Sequence, residues 1–304
     1  MSLTAPAPRH RRRHTRTAAL LLPLALWLAG CARESESEEA VTHGGATPVE
    51  AVTLLTGHLR SNDLAGFAHD AVTPDLVPRL DQAWREGRTR WPISELPLSA
   101  QLPAFLQALS APQAEHALMQ SFNRQFAGAS RELHSAAIAL GAFAIQYLEQ
   151  SGDFSEDERA HYTQLVAAAS DWAGSAPLAD GDLARETVVA LVAAAREGAI
   201  DSDATLGAAG MQDGLARLGP LMRAGKQSLA AYGLDLDQTF DSVEATLESQ
   251  SGDVARVRMR YLLAGRPVDA VINVERHGGR WFISDFLRHA REAAGPLAAA
   301  SSIP

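Results

Sequence analysis

The chain has 304 residues, 46% of them apolar and 21% charged, which excludes a collagen-like or wholly disordered protein and suffices for one large domain or two small ones. Its formal net charge is −9, but the first 30 residues hold five arginines and no acid; without them 22 basic side chains face 36 acidic ones, a net of −14 that repels phosphate and argues against nucleic acid as a partner. The single cysteine, Cys31, rules out an internal disulfide and a cysteine-built zinc site.

The chain opens on a cationic run, Arg9, Arg11, Arg12, Arg13 and Arg16, then an apolar stretch from Ala18 to Leu28, then Ala29, Gly30 and Cys31. Eleven apolar residues are too few to span a bilayer, which takes ~20 in a helix, and Pro23 interrupts them. A positive head, a short apolar segment and small residues behind it mark residues 1–30 as an export signal. The ending Leu28-Ala29-Gly30-Cys31 resembles the lipobox of bacterial lipoproteins. The resemblance implies that the leader is cut just before Cys31 and that the cysteine is acylated through its sulfur. It also implies that a protein with Ala32, not aspartate, after the cysteine passes to the outer membrane and faces the periplasm. Two or three acyl chains hold firmly where one gives only weak, reversible attachment. The membrane, through acyl chains on Cys31, is therefore the first expected partner, with an envelope protein or a small ligand as the second.

Residues 31–46 are rich in Glu and Ser, end near Gly44-Gly45 and carry little to bury; they read as an acidic, flexible tether. Its acids Glu34, Glu36, Glu38 and Glu39 fit a self-repelling spacer better than a metal or partner site.

Residues 47–235 read as an alanine-rich helical region. Thr47-Pro48-Val49-Glu50 is a capping box with proline at the first helical position, and Val49, Val52, Leu55 and Leu59 recur on one face. A second helix is expected from Asn62 or Asp63, and a third from Thr73-Pro74 through Leu76, Leu80 and Trp84 to Gly87. Prolines 92, 97 and 103 mark an irregular connection. Beyond it, Arg131 to Gln150 forms a helix whose apolar stretch from Ala136 to Ile145 suits a buried helix better than a membrane span. Ser155 and Glu158 form another capping box, opening a helix that reaches Trp172, and Asp182 is expected to cap the next. Gly207, Gly210 and Gly214 would form a smooth stripe on one helix. One lysine, Lys226, against 26 arginines reads as codon bias.

Residues 236–304 change period. Val243, Ala245 and Leu247 alternate, as do Ala255, Val257, Met259 and Tyr261 and then Val268, Ala270, Ile272 and Val274. Turns at Gly265-Arg266-Pro267 and His277-Gly278-Gly279 join these runs to Arg280-Trp281-Phe282-Ile283. The fold class is thus α+β: a mainly helical body, then an antiparallel meander of about four strands packing on it, a closing helix from Asp285 and a loose C-terminal tail. Helices first and a curved sheet last resemble the cone-shaped fold of the nuclear-transport-factor-two-like superfamily. That resemblance implies that the helices of residues 49–84 cover the sheet and that a pocket lies between them, in a fold that hosts enzymes and non-enzymes alike.

Candidate chemistry is sparse. Arg256, Arg258 and Arg260 project from one sheet face as a possible anion or partner patch, although cross-strand pairing with Asp269 and Glu275 accounts for the same charges. Asp201-Ser202-Asp203 resembles the opening of a calcium loop, but Leu206 and Gln212 stand where glycine and glutamate are needed; Asp235 and Asp237 fail likewise at Phe240. His116, His134 and His161 fall on separate helices without a His-Glu-x-x-His motif, and Trp281 and Phe282 read as core. No nucleophile elbow and no phosphate-cradling loop is present, so no catalytic residue, metal or cofactor is expected. The expected function is a lipid-anchored envelope protein that binds a protein or small ligand. The alternatives are an inhibitor or immunity-type lipoprotein that blocks a hydrolase, and a cell-wall or lipid hydrolase, which a cleft holding two carboxylates, one with a raised pKa, would favour.

Overall fold

In the computed structural model, which describes residues 42–96 and 99–296, the folded chain begins earlier than the tether assignment implies. Gly45 exchanges two backbone hydrogen bonds with Trp281 (2.9 and 2.8 Å), extending the sheet edge, and Arg280 donates to the carbonyls of His43 and Gly44. The glycine pair serves close packing here and not flexibility: Gly44 has φ +69°, and a Cβ on it would lie 2.7 Å from the Phe282 ring. Cys31, the export signal, the tether up to residue 41 and the tail from 297 lie outside the described residues.

Three helices follow, α1 (Pro48–Ser61), α2 (Leu64–Asp70) and α3 (Leu76–Arg85). Thr47 caps α1 as its spacing predicts, its Oγ1 accepting from Glu50 N–H, while the Glu50 carboxylate takes the N–H of Ala46 at 2.8 Å. Asp63 caps α2, and Gly87 turns the chain after α3. Two short 3-10 turns, Ile93–Glu95 and Ser99–Gln101, then lead into α4 (Leu102–Ser110), α5 (Ala114–Gln125), α6 (Ser130–Gln150) and α7 (Glu156–Ala173). The helical region ends with α8 (Gly181–Glu197), α9 (Asp203–Ala209), α10 (Met211–Ala231) and α11 (Leu236–Asp241). Asp180, not Asp182, caps α8, because its carboxylate reaches the N–H groups of Asp182 and Leu183. The helical region runs slightly past residue 235, since Asp235 caps α11.

Gly210, at φ +85°, separates α9 from α10, so Gly207, Gly210 and Gly214 do not share one helix as expected. They line a bend against α3 instead: a Cβ on Gly214 would lie 2.9 Å from the Trp84 ring.

The strands β1 (Glu244–Ser251), β2 (Val254–Leu263), β3 (Arg266–His277) and β4 (Arg280–Ile283) form one antiparallel sheet in the order β1-β2-β3-β4, closed by α12 (Ser284–Ala294). Two tight turns set the register, Ala264-Gly265 (φ +51°, +76°) and Gly278-Gly279 (φ +57°, +82°), each with both central residues left-handed. The first turn is one residue earlier than expected, so Arg266 and Pro267 already belong to β3, opposite Leu263 and Leu262. Ala255, Val257, Met259, Val268, Ala270 and Val274 are buried, as the alternation requires. On the edge strand β1 the alternation does not bring burial; Leu247 stays half exposed beside an irregularity in the pairing.

Helix α1 lies across all four strands and joins Val52 and Leu55 to the core that holds Val257, Val274 and Phe282, while α2 and α3 pack mainly on α10 and α12. β4 pairs only with residues 274–277 of β3. The rest of that edge is served by α7: the Gln164 amide donates to the carbonyl of Asp269 at 2.8 Å and accepts its N–H at 3.0 Å. A side chain thus satisfies backbone groups that would otherwise invite another strand.

The apolar stretch of α6 is not buried as expected. Among the described helices and strands, α6 packs closely on α7 alone. Gly141 and Leu148 are buried, with Gly141 so close to Ser170 that no Cβ fits, whereas Ile138, Leu140, Phe143 and Tyr147 are exposed, Leu140 and Phe143 at 67% each. No described helix is long and apolar enough to cross a membrane.

Where α1 meets α2, His58 sits between two carboxylates, 2.8 Å from Asp70 and 3.1 Å from Asp63, and His69 adds a 2.9 Å bond to Asp70. The hydrogen bond to Asp70 raises the His58 pKa against the opposing effect of burial. Burial pushes Asp70 up, but the bonds from His58 and His69 outweigh it and hold the carboxyl below its ordinary value. The His58 contribution to stability is therefore complete below its unfolded pKa and lost as pH rises through the folded one; that of Asp70 is lost as pH falls through its own depressed value. Urea midpoints are expected to drop between pH 5.5 and pH 8.5, and to drop less in His58→Gln. An equal drop in both proteins would remove His58 as the cause.

Candidate functional site

A cavity of about 460 Å³ opens where the start of α7 meets α12, lined by Asp153, Phe154, Ser155, Arg288, His289 and Glu292. The Ser155 capping box builds its floor. Ser155 Oγ accepts from the N–H of Glu158, and Glu158 Oε2 takes the N–H of Ser155 at 3.0 Å, which folds the carboxylate back under the helix start. Glu158 is only 7% exposed. Arg288, one turn into α12, donates to Glu158 Oε2 (2.5 Å), to Asp285 (3.2 Å) and to the Asp153 carbonyl (3.0 Å).

The other Glu158 oxygen, Oε1, has no hydrogen-bond partner and lies 3.6 Å from His289 Nε2. His289 Nδ1 lies 2.8 Å from Glu95, but off the axis of a hydrogen bond. The imidazole is thus held between two carboxylates, one from the 3-10 turn at Ile93–Glu95 and one from α7. Contact with Glu95 raises the His289 pKa and outweighs burial. Burial raises the Glu158 pKa, helped by Asp285, although Ser155 N–H, His289 and Arg288 pull the other way. Burial also pushes up the Tyr162 phenol, with Glu158, Glu95 and Asp285 adding to it, so the hydroxyl stays protonated. Tyr147, Phe154 and Tyr162 meet edge to face in a row (ring centroids 6.5 and 5.5 Å apart) that runs from the exposed side of α6 to this cluster.

Sequence reasoning missed this site. Glu95, Glu158 and His289 are too far apart in the chain to form a motif, and the one local sign, Ser155 with Glu158, reads as a helix start and is one. Glu95 and Glu158, the second with its pKa raised by burial, stand next to residues of the cleft wall without lining it themselves.

The residues singled out from sequence stand apart from the cleft. Arg258 makes a two-pronged bond to Asp269 (2.8 Å twice), Arg260 bonds the same carboxylate at 3.1 Å, and Arg256 pairs with Asp157 and Glu248. Glu275 pairs with Arg291 and His277 and not with the row. Asp203 binds Arg90 through both oxygens, and Asp201 bonds Ser202 and Thr205 at the start of α9. His116 is exposed, His134 bonds the Ala176 carbonyl, and His161, its pKa lowered to about 4 by burial, bonds Tyr261 at 2.7 Å; the three do not converge. Trp281 and Phe282 are core. Among the described residues no group of three or more His, Cys, Asp or Glu is placed to hold a metal ion.

Fold and site together define an α+β protein with a charged, partly unsatisfied cleft at a helix–helix junction. No family model, curated protein or solved structure matches the chain significantly.

Proposed function

We propose that this is a lipid-anchored envelope protein, held to the outer membrane by acyl chains on Cys31, whose periplasm-facing body takes a small ligand into the cleft between α7 and α12. The anchor is supported by Leu28-Ala29-Gly30-Cys31, which places the one cysteine of the chain behind an export signal. The ligand site is supported by the cavity of about 460 Å³ itself, whose wall joins the aromatic ring of Phe154 to the polar side chains of Ser155, Arg288 and His289.

Cys31→Ser is expected to leave the precursor uncut and unlabelled when cells are fed radioactive palmitate, while wild type incorporates label and fractionates with membranes. Mutant protein processed and membrane-bound like wild type defeats the anchor. A second reading, a cell-wall or lipid hydrolase, is favoured by the carboxyl of raised pKa at Glu158 beside the Glu95–His289 pair, a division that suits general acid–base chemistry. Zymography on peptidoglycan and phospholipid, with Glu158→Gln as the control, decides between binding and turnover.

A further inference from the structure

We infer that α6 pairs with α6 of a second copy of this chain, the two helices running antiparallel. The pairing needs neither the anchor nor the cleft. Its first support is the row Ala136, Leu140, Phe143 and Tyr147, which follow one another at four, three and four residues. That is the spacing of the seam along which two helices pack side by side. All four residues are exposed, Leu140 and Phe143 by 67% and Tyr147 by 53%. The row lies about a third of a turn round the helix from Gly141 and Leu148, which are buried, so the contact with α7 leaves it open. Ile138, exposed on the other flank, stands outside the row.

Charge selects the partner. From Leu133 to Leu148 α6 carries no Asp, Glu, Lys or Arg, and Ala137, Ala139, Ala144 and Gln146 flank the seam. Small neutral flanks let two helices approach closely and set no like charges against each other. A helix that lies in a lipid surface carries Lys and Arg along its polar face, whereas α6 has one arginine, Arg131, and the acids Glu132 and Glu149 at its ends. A lipid surface is therefore the poorer occupant.

Shape selects the direction. In antiparallel helices Leu140 meets Phe143 of the second copy and the small Ala136 meets its Tyr147, so each layer fills to a similar volume. Parallel helices would crowd one tyrosine against the other and leave a gap between the alanines. The sixteen uncharged residues make a face ~24 Å long. Two such faces bury on the order of 1,000 Å², the least that a specific interface needs, so the dimer is weak and forms at micromolar concentration.

The test uses the full chain with Cys31→Ser, which leaves no native thiol. Chains bearing Ala136→Cys are mixed at micromolar concentration with chains bearing Tyr147→Cys and oxidised. The mixture is expected to give disulfide-linked dimers with one chain of each kind. Neither variant alone is expected to link, because antiparallel pairing sets each cysteine about 16 Å along the helices from its own copy, and a disulfide needs Cα atoms about 4–7 Å apart. Phe143→Asp in both chains should lower the yield of linked dimer by about tenfold, since pairing would bury an unpartnered charge. Phe143 is exposed in the single chain, so this variant keeps the fold, which circular dichroism checks. Linkage of each variant to itself as readily as in the mixture overturns the antiparallel pair. A yield that Phe143→Asp leaves unchanged, or no linkage in chains shown to be folded, overturns the dimer. Flotation with phosphatidylethanolamine–phosphatidylglycerol vesicles that Phe143→Asp abolishes, in chains that do not link, gives α6 to the lipid surface and overturns the inference as well.

Discussion

Lys226→Met is expected to destabilise the protein by ~2–3 kcal/mol, read as a lower urea midpoint at unchanged slope. Lys226 projects from α10 and is only 5% exposed. Its ammonium donates to the carbonyls of Leu59 (3.2 Å) and Arg60 (2.8 Å) and to Asp237 at 2.5 Å, and it lies 5.6 Å from the centre of the Phe240 ring. The last carbonyls of a helix have no partner within it and carry the negative end of its dipole, so one buried cation there closes α1 and ties it to α10 and α11. Methionine keeps the length and apolar stem but orphans the Arg60 carbonyl, and leaves that of Leu59 with only the N–H of Asn62 at 3.3 Å. Asp237 is less affected, since it also pairs with Arg60 and is partly exposed. Lys226→Arg is expected to recover only part of the loss, because a planar fork does not fit three acceptors arranged around a point charge. A midpoint within error of wild type for Lys226→Met would mean that water closes α1 and that the lysine is dispensable.

That lysine shows the limit of composition. Scarcity of lysine reads as codon bias, and nothing in that reading says that the one remaining lysine is buried at a helix end 167 residues from the carbonyl it bonds. What was legible is local. Period-two alternation from Ala255 to Val274 told which face of the sheet is buried, and the glycine turns told its connectivity, because side-chain direction in a strand is set by parity alone. The caps at Thr47, Asp63 and Ser155 were legible for the same reason: a side chain reaches an N–H only two or three residues on.

What failed is what depends on layers. Ala136 to Ile145 is apolar enough for a core helix, yet burial needs a neighbour on both sides, and among the described elements only α7 packs closely on α6. Gly44-Gly45 has the composition of a linker and the role of a packed sheet edge, because the same missing Cβ serves flexibility in water and close approach against Phe282. The arginine row was legible as a row, and its pairing with Asp269 followed from register, but its pairing with Asp157 required the placement of α7. The Glu95–His289–Glu158 arrangement joins three elements distant in sequence, and the residues between them carry no trace of it.

Trp84→Ala is expected to have the largest effect of any single change considered, ~3–5 kcal/mol, enough to consume much of an ordinary domain's stability. The indole is fully buried on α3 and its N–H donates to the Leu206 carbonyl at 2.8 Å; Arg90 stands over the ring at 5.0 Å and donates to the Trp84 carbonyl at 2.6 Å. Arg90 in turn holds Asp203 at the start of α9. One side chain thus joins α3 to the α9–α10 bend, and alanine leaves a cavity with an unpaired carbonyl in its wall. Trp84→Phe separates the two losses: it keeps most of the volume and orphans Leu206, for ~1–2 kcal/mol. Gly214→Ala tests the contact from the other side, since its Cβ would lie 2.9 Å from the ring and the indole must move, at ~1–3 kcal/mol. If the cost comes from that contact, the smaller ring of Trp84→Phe makes room for the new methyl, and the double variant is less destabilised than the sum of the singles. Strict additivity in thermal and urea unfolding would place the Gly214→Ala cost in the bend itself and not against Trp84.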